Sequence, residues 1–140
     1  MTVLLQNNTL SNLKLNNLYF DKIIYISDGN NNELDAESNI SFECNNFIAT
    51  NNDIRINLIC NVSKNGTNII VVSLIGCFSL SSNDDIKKYI PNAVAIMFPY
   101  LRSQISLITT QPNCSVIVLP ALNINALLKE NLKSDSGSVN

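Results

Sequence analysis

The chain has 140 residues, a length that suits one domain. Hydrophobic residues make up 46% and charged residues only 14%, against about 25% charged in typical soluble domains. A substantial core can therefore be buried, and some apolar surface is expected to be covered by another chain. The formal net charge is -2 and the nine lysines and arginines are scattered, which excludes the clustered basic face of a nucleic-acid binder or a polybasic membrane anchor.

Membrane insertion is not expected, because no segment approaches the ~20 apolar residues that span a bilayer. The longest apolar stretch, near Ile69–Leu80, is interrupted by Ser73, Gly76 and Ser79. Met1–Asn8 has no basic region ahead of its apolar residues and does not read as a signal peptide, so a cytoplasmic location is expected. Histidine is absent, which removes Ser-His-Asp and Cys-His catalysis. Cys44, Cys60, Cys77 and Cys114 form no CxxC pair and read as reduced, mostly buried thiols rather than a metal site. Asp21, Asp28 and Glu33 make no recognisable catalytic pair, and Asp84 and Asp85 suit helix capping better than metal binding. No acid, base and nucleophile set can be assembled. The expectation is a protein that is not an enzyme, with no catalytic residues, no metal and no cofactor.

Residues Leu10–Ser27 are rich in Leu, Ile, Tyr and Phe and predict a long strand, bent or bulged near Asn16-Asn17. Asp28-Gly29-Asn30-Asn31-Asn32 is a turn or loop cluster. Ile40, Phe42 and Cys44 alternate with Ser41 and Glu43 in a second strand. The third is clearest: Ile54, Ile56, Leu58, Cys60 and Val62 point one way, and Arg55, Asn57, Asn61 and Ser63 the other. Lys64-Asn65-Gly66-Thr67 is a hairpin signal, since Asn and Gly tolerate the positive φ of a type I′ turn. Asn68–Leu80 is apolar on both faces, with Gly76 expected to mark a bulge. Such a strand needs two covers: a helix for one face and a second subunit for the other.

A short helix over Asp84–Ile90 is expected next, then a main helix over 92–109. Val94, Met97, Phe98, Leu101, Ile105 and Ile108 recur at spacings of three and four and form its apolar stripe. Pro99 inside it predicts a kink or the loss of one hydrogen bond. Gln111-Pro112-Asn113 ends the helix, Ser115–Leu119 is an extended run, and Asn123 or Asn125 caps a last helix through Lys133. Ser134–Asn140 is polar and expected to be mobile. Strands first and helices afterwards argue for a single α+β domain over 1–133, with 134–140 as its tail.

Three elements in order carry a resemblance. They are Phe78-Ser79, then Phe98-Pro99-Tyr100-Leu101-Arg102, then Leu119-Pro120-Ala121 followed by Asn123-Ile124-Asn125-Ala126-Leu127-Leu128. In this order, behind four strands, the chain resembles the SecB family of protein-export chaperones. Its members carry Phe-Ser at a strand end, Phe-Pro-Tyr with Ala-Arg in the main helix, and a late segment of the type Asn-Phe-Asp-Ala-Leu-Phe. Here the aspartate of that segment is Asn125, and Lys22, Ile26 and Val71 fall where family members dock the SecA motor through acidic residues.

The resemblance implies a four-stranded antiparallel sheet with C-terminal helices packed on one face, assembled as a homotetramer, a dimer of dimers. It implies an ATP-independent holdase that binds unfolded or precursor polypeptides for export, with SecA as partner. The changed docking positions keep a second role open, guarding the antitoxin of a toxin–antitoxin system. The family match places the tetramer-forming strand face at Ile70, Val72 and Leu74; burial under the protein's own helix is the other reading of these three. A holdase needs adaptable apolar surface and an edge for extended backbone. The client-binding groove is expected between the Ile40–Cys44 strand and the Leu119–Leu128 loop, with Ile40, Phe42, Cys44, Leu119, Leu122 and Ile124 as its residues. Phe98 and Tyr100 are expected to pack the helix, and Arg102 to pair across an interface or reach solvent. A different class also fits the composition: an oligomeric module that binds a small apolar ligand between sheet and helices.

Overall fold

The computed structural model describes residues 12–27, 29, 38–65 and 67–130. Met1–Asn8, Gly66, the tail Ser134–Asn140 and all of the Asp28–Asn32 cluster except Gly29 lie outside the described residues.

Four long strands form one antiparallel sheet: β1 (Leu13–Tyr25), β2 (Ser38–Thr50), β3 (Asp53–Lys64) and β4 (Thr67–Leu80). Their order across the sheet is β1-β4-β3-β2, so β1 and β2 are the edges. The β3–β4 hairpin pairs Lys64 with Thr67, and Asn65 takes φ 55 in the turn, the left-handed conformation that Asn tolerates. A 3₁₀ turn (Ile86–Tyr89) follows, opened by the Asp85 carboxylate, which accepts from the Lys87 N–H. Helix α1 (Ile90–Ile108) starts with a proline in its first turn. A second helix, α2 (residues 124–130), is capped by Asn123, whose Oδ1 accepts from the Ala126 N–H at 3.0 Å.

α1 lies over β4 and β3. Ile54, Ile56, Leu58, Cys60 and Val62 of β3 and Ile70, Val72, Leu74 and Phe78 of β4 are buried against Val94, Met97, Leu101 and Ile105 of α1 in one cluster. The alternation of β3 thus describes its environment correctly. Pro99 sits on the exposed side of α1. It cannot donate to the carbonyl of Ala95, a residue on the same exposed side.

Two features differ from the sequence reading. Gly76 marks no bulge: it pairs regularly with Ile56 and Leu18. Its role is clearance, since a Cβ there would stand 2.7 Å from the Met97 sulfur and 2.8 Å from the Phe78 ring. The bulges are in β1 instead, at the expected place between Leu15 and Asn17 and again between Phe20 and Lys22.

The second difference concerns the far face of β4. Ile75 and Ser73 are 3% and 4% exposed although no helix covers them. Long side chains of the same sheet shield them. Asn57, opposite Ile75, donates to Ser73 Oγ at 2.7 Å and to the Leu74 carbonyl at 3.2 Å. Arg55 reaches over β4 to Tyr19 of β1. The second cover is therefore partly internal.

Candidate functional site

The helix-covered side of the sheet is broader than α1. Ile40, Phe42 and Cys44 of the edge strand pair with Val62, Cys60 and Leu58 of β3 and share their face. α1 lies over the central strands, so side chains at the β2 edge are less completely covered. Cys44 is buried, whereas Ile40, Phe42 and Ile48 are half-buried and pack on the flank of the core. Phe42 meets Phe98 of α1 edge to face, with ring centroids 6.1 Å apart.

After α1 the chain returns as an extended segment held by two hydroxyls. Ser106 Oγ donates to the Ile117 carbonyl at 2.9 Å, and the Ile117 N–H donates to Thr109 Oγ1 at 2.9 Å. Thr109 is fully buried, and its hydroxyl lies 2.8 Å from the Ile105 carbonyl. Pinned this way, the segment turns Ile117 and Leu119 inward and leaves Val116 and Val118 54% and 65% exposed. Leu122, Ile124 and Leu128 then pack half-buried on the same core.

The six residues expected to bind a client thus divide. Cys44 and Leu119 are fully committed to the core, and Ile40, Phe42, Leu122 and Ile124 keep partial exposure on its flank. Ile70, Val72 and Leu74 are at 0% exposure beneath α1, within a single chain. Phe98 packs inward as expected, but Tyr100 points out and is 52% exposed. Arg102 is exposed and forms no ion pair among the described residues.

The sequence reading passed over the outer stripe of α1. Ile96, Tyr100 and Leu107 are 39%, 52% and 63% exposed. With Ser103 they recur at spacings of four, three and four, so they line one face, opposite the buried one. The signal was present: Arg102 is the single charged residue of α1, and a solvated helix face ordinarily carries several.

Burial pushes the Cys44 thiol up to about 11 and the Cys60 thiol up to about 12, so neither forms the reactive thiolate near neutral pH. Cys77 and Cys114 are half-exposed and unpaired. Among the described residues, no group of three or more His, Cys, Asp or Glu side chains could hold a metal ion. No described helix is long and apolar enough to cross a membrane.

The architecture is that of the SecB-like fold: a four-stranded antiparallel sheet with C-terminal helices on one face. A solved structure with this architecture is the SecB-like chaperone Rv1957 of Mycobacterium tuberculosis, in complex with a ChAD peptide from the Rv1956 HigA1 antitoxin. The superposition has a TM-score of 0.59 at 11% identity and covers 79% of this chain and 91% of that one. No protein-family model matches the chain, and no curated protein matches it in sequence.

Proposed function

We propose that this protein is an ATP-independent holdase that shields extended, unfolded polypeptide segments. The observation that carries this reading is the half-buried row Ile40, Phe42 and Ile48 on the helix-covered face of an edge strand, with Leu122 and Ile124 half-buried against the same core. Each side chain is already desolvated on one side, so a client contributes the missing cover. An edge strand also offers unpaired main-chain groups to any extended sequence. No substrate chemistry is needed.

The clients are unfolded or precursor polypeptides of the cytoplasm. Two routes fit: delivery for export, with SecA as motor, or protection of an antitoxin. The SecB-like neighbour with an antitoxin peptide bound favours the second. The protein acts as a homo-oligomer, so that several weak sites hold one long chain through effective concentration. Its subunits meet through the outer stripe of α1, because Ile96, Tyr100 and Leu107 leave apolar surface uncovered in one chain.

The test is light scattering from a chemically unfolded, aggregation-prone protein diluted into buffer without ATP. A stoichiometric amount of this protein is expected to suppress the signal, and Phe42→Ser and Ile124→Ser to weaken suppression while the fold persists. A well-folded oligomer that protects none of several clients refutes general holdase activity. An unfolded antitoxin among the clients separates the two routes. Selective binding of a small apolar molecule with no effect on aggregation supports a ligand-binding module instead.

A further inference from the structure

The free margin of β2 is unprotected in a way that the margin of β1 is not. Sheet edges are ordinarily blunted by lysines, prolines or bulges, because their unpaired N–H and C=O groups invite another strand. β1 has Lys14, Lys22 and two bulges. β2 has no proline, a single charged residue, Glu43, and regular pairing with β3 from Ser38 to Ile48. Among the described residues β3 is its one neighbour in the sheet. Glu43 is exposed and forms no ion pair among them.

The polarity of this margin is palindromic about Phe42. Ser41 and Glu43 flank it, then come the apolar Ile40 and Cys44, then Asn39 and Asn45, then Ser38 and Asn46. A two-fold axis between antiparallel edge strands pairs residues equally far from it. With the axis at Phe42, Phe42 meets its own copy and Ile40 meets Cys44 on the helix-covered face. On the open face Ser41 meets Glu43 and Asn39 meets Asn45. Apolar thus meets apolar and polar meets polar over residues 38–46, and each carboxylate faces a hydroxyl that can donate to it. Moving the axis to Glu43 sets two carboxylates opposite each other. Moving it to Cys44 sets Phe42 against Asn46 and Ser41 against Phe47. Both shifts are unfavourable.

We propose that two copies of this chain pair through β2 about a two-fold axis at Phe42, forming one continuous antiparallel sheet with both copies of α1 on the same side. The half-buried Ile40 and Phe42 gain the cover that one chain does not give them. The same two residues are assigned to clients, so a client must displace the second copy before it can add to the edge. Self-association is then the resting state of the groove and sets how readily it opens. This competition rests on the holdase reading, whereas the pairing stands whether or not the groove holds clients.

Sedimentation equilibrium of the full chain carrying Leu107→Glu, which charges the outer stripe of α1, tests the pairing. A monomer–dimer equilibrium is expected. Adding Ser41→Glu sets like charges opposite each other at two symmetry-related places and is expected to weaken the dimer about fivefold. Ser41→Lys is expected to strengthen it about fivefold, in line with cross-strand charge pairs. Glu43→Lys combined with Ser41→Glu restores the dimer. Ser41 and Glu43 are exposed, and circular dichroism verifies the fold. In aggregation suppression, Ser41→Glu should protect acidic and basic clients alike at lower concentration than Ser41→Lys. A monomer at every soluble concentration, or equal effects of the two charges on the dimer, overturns the pairing. Equal protection by the tight and the weak dimer overturns the competition, and protection by neither refutes the holdase reading while the dimer measurement stands.

Discussion

Phe42 of the edge strand and Phe98 of α1 meet ring to ring at 6.1 Å and 66°, and this contact joins the open flank of the sheet to the closed core. The two partners differ in cover: Phe98 is 8% exposed, whereas Phe42 is half-buried. Truncating them separates stability from binding. Phe98→Ala is expected to cost about 3–5 kcal/mol, as for other buried aromatics. Phe42→Ala is expected to cost less, about 1–3 kcal/mol, and to reduce client protection more than its stability loss explains. Urea unfolding beside aggregation suppression makes the comparison.

Clearance at Gly76 gives a second expectation. A methyl group there meets the Met97 sulfur and the Phe78 ring inside the closed core. Gly76→Ala is expected to destabilise by about 1–3 kcal/mol through overpacking. Adding Met97→Leu, with its shorter side chain, should recover part of the loss in chemical denaturation.

Thr109 is the buried hydroxyl that the returning segment depends on. Thr109→Val keeps the shape but leaves the Ile117 N–H without its acceptor. The expected cost is about 1–3 kcal/mol. Thr109→Ser keeps the oxygen and should lose much less. Amide exchange at Ile117 reports the bond directly and should accelerate only in the valine variant.

The buried thiols make stability depend on alkaline pH. An unfolded thiol loses its proton near the ordinary value of 9.0, while Cys44 holds it to about 11 and Cys60 to about 12. In that window the unfolded state binds fewer protons, so stability is full below pH 9 and falls as pH rises, by about 1.4 kcal/mol per pH unit for each thiol. Cys60→Ala should flatten the slope. At neutral pH a thiol reagent should modify Cys77 and Cys114 before Cys44 and Cys60.

Charge on the outer stripe of α1 should dissociate the assembly. Leu107→Glu or Tyr100→Glu is expected to shift mass in sedimentation to a smaller species without loss of helix. An unchanged mass would place the interface elsewhere.

The sequence was most legible where one face of an element is wet. Ile54 to Val62 alternate with polar residues because β3 has a helix on one side and open sheet on the other. β4 defeated the same logic. Ile69 to Ile75 is apolar except at Ser73, so alternation cannot say which residues lie under α1; the register places Ile70, Val72 and Leu74 there, which leaves them no surface for a neighbour. In β2 the polar pair Asn45-Asn46 hid the strand's continuation to Thr50, because only cross-strand pairing with Ile56 and Asn57 holds those residues extended. The side chains of Phe42 and Ile124 were legible as apolar. Their partial exposure was not, since it depends on how far α1 reaches across the sheet. The Arg55–Tyr19 contact joins residues on strands that are not neighbours and has no local signature.

The two bulges in β1 make the sheet unequal at its margins. β1 carries two extra residues, at the Asn16 and Asp21 positions, while β2 pairs evenly from Ser38 to Ile48. A bulge twists a strand and breaks the rhythm of its free donors and acceptors. An incoming extended chain therefore finds an uninterrupted template along β2 and a broken one along β1. Such a sheet can lengthen by a strand at its β2 margin while the β1 margin resists, so edge pairing between copies ends at a β2-to-β2 pair and is not carried on through β1.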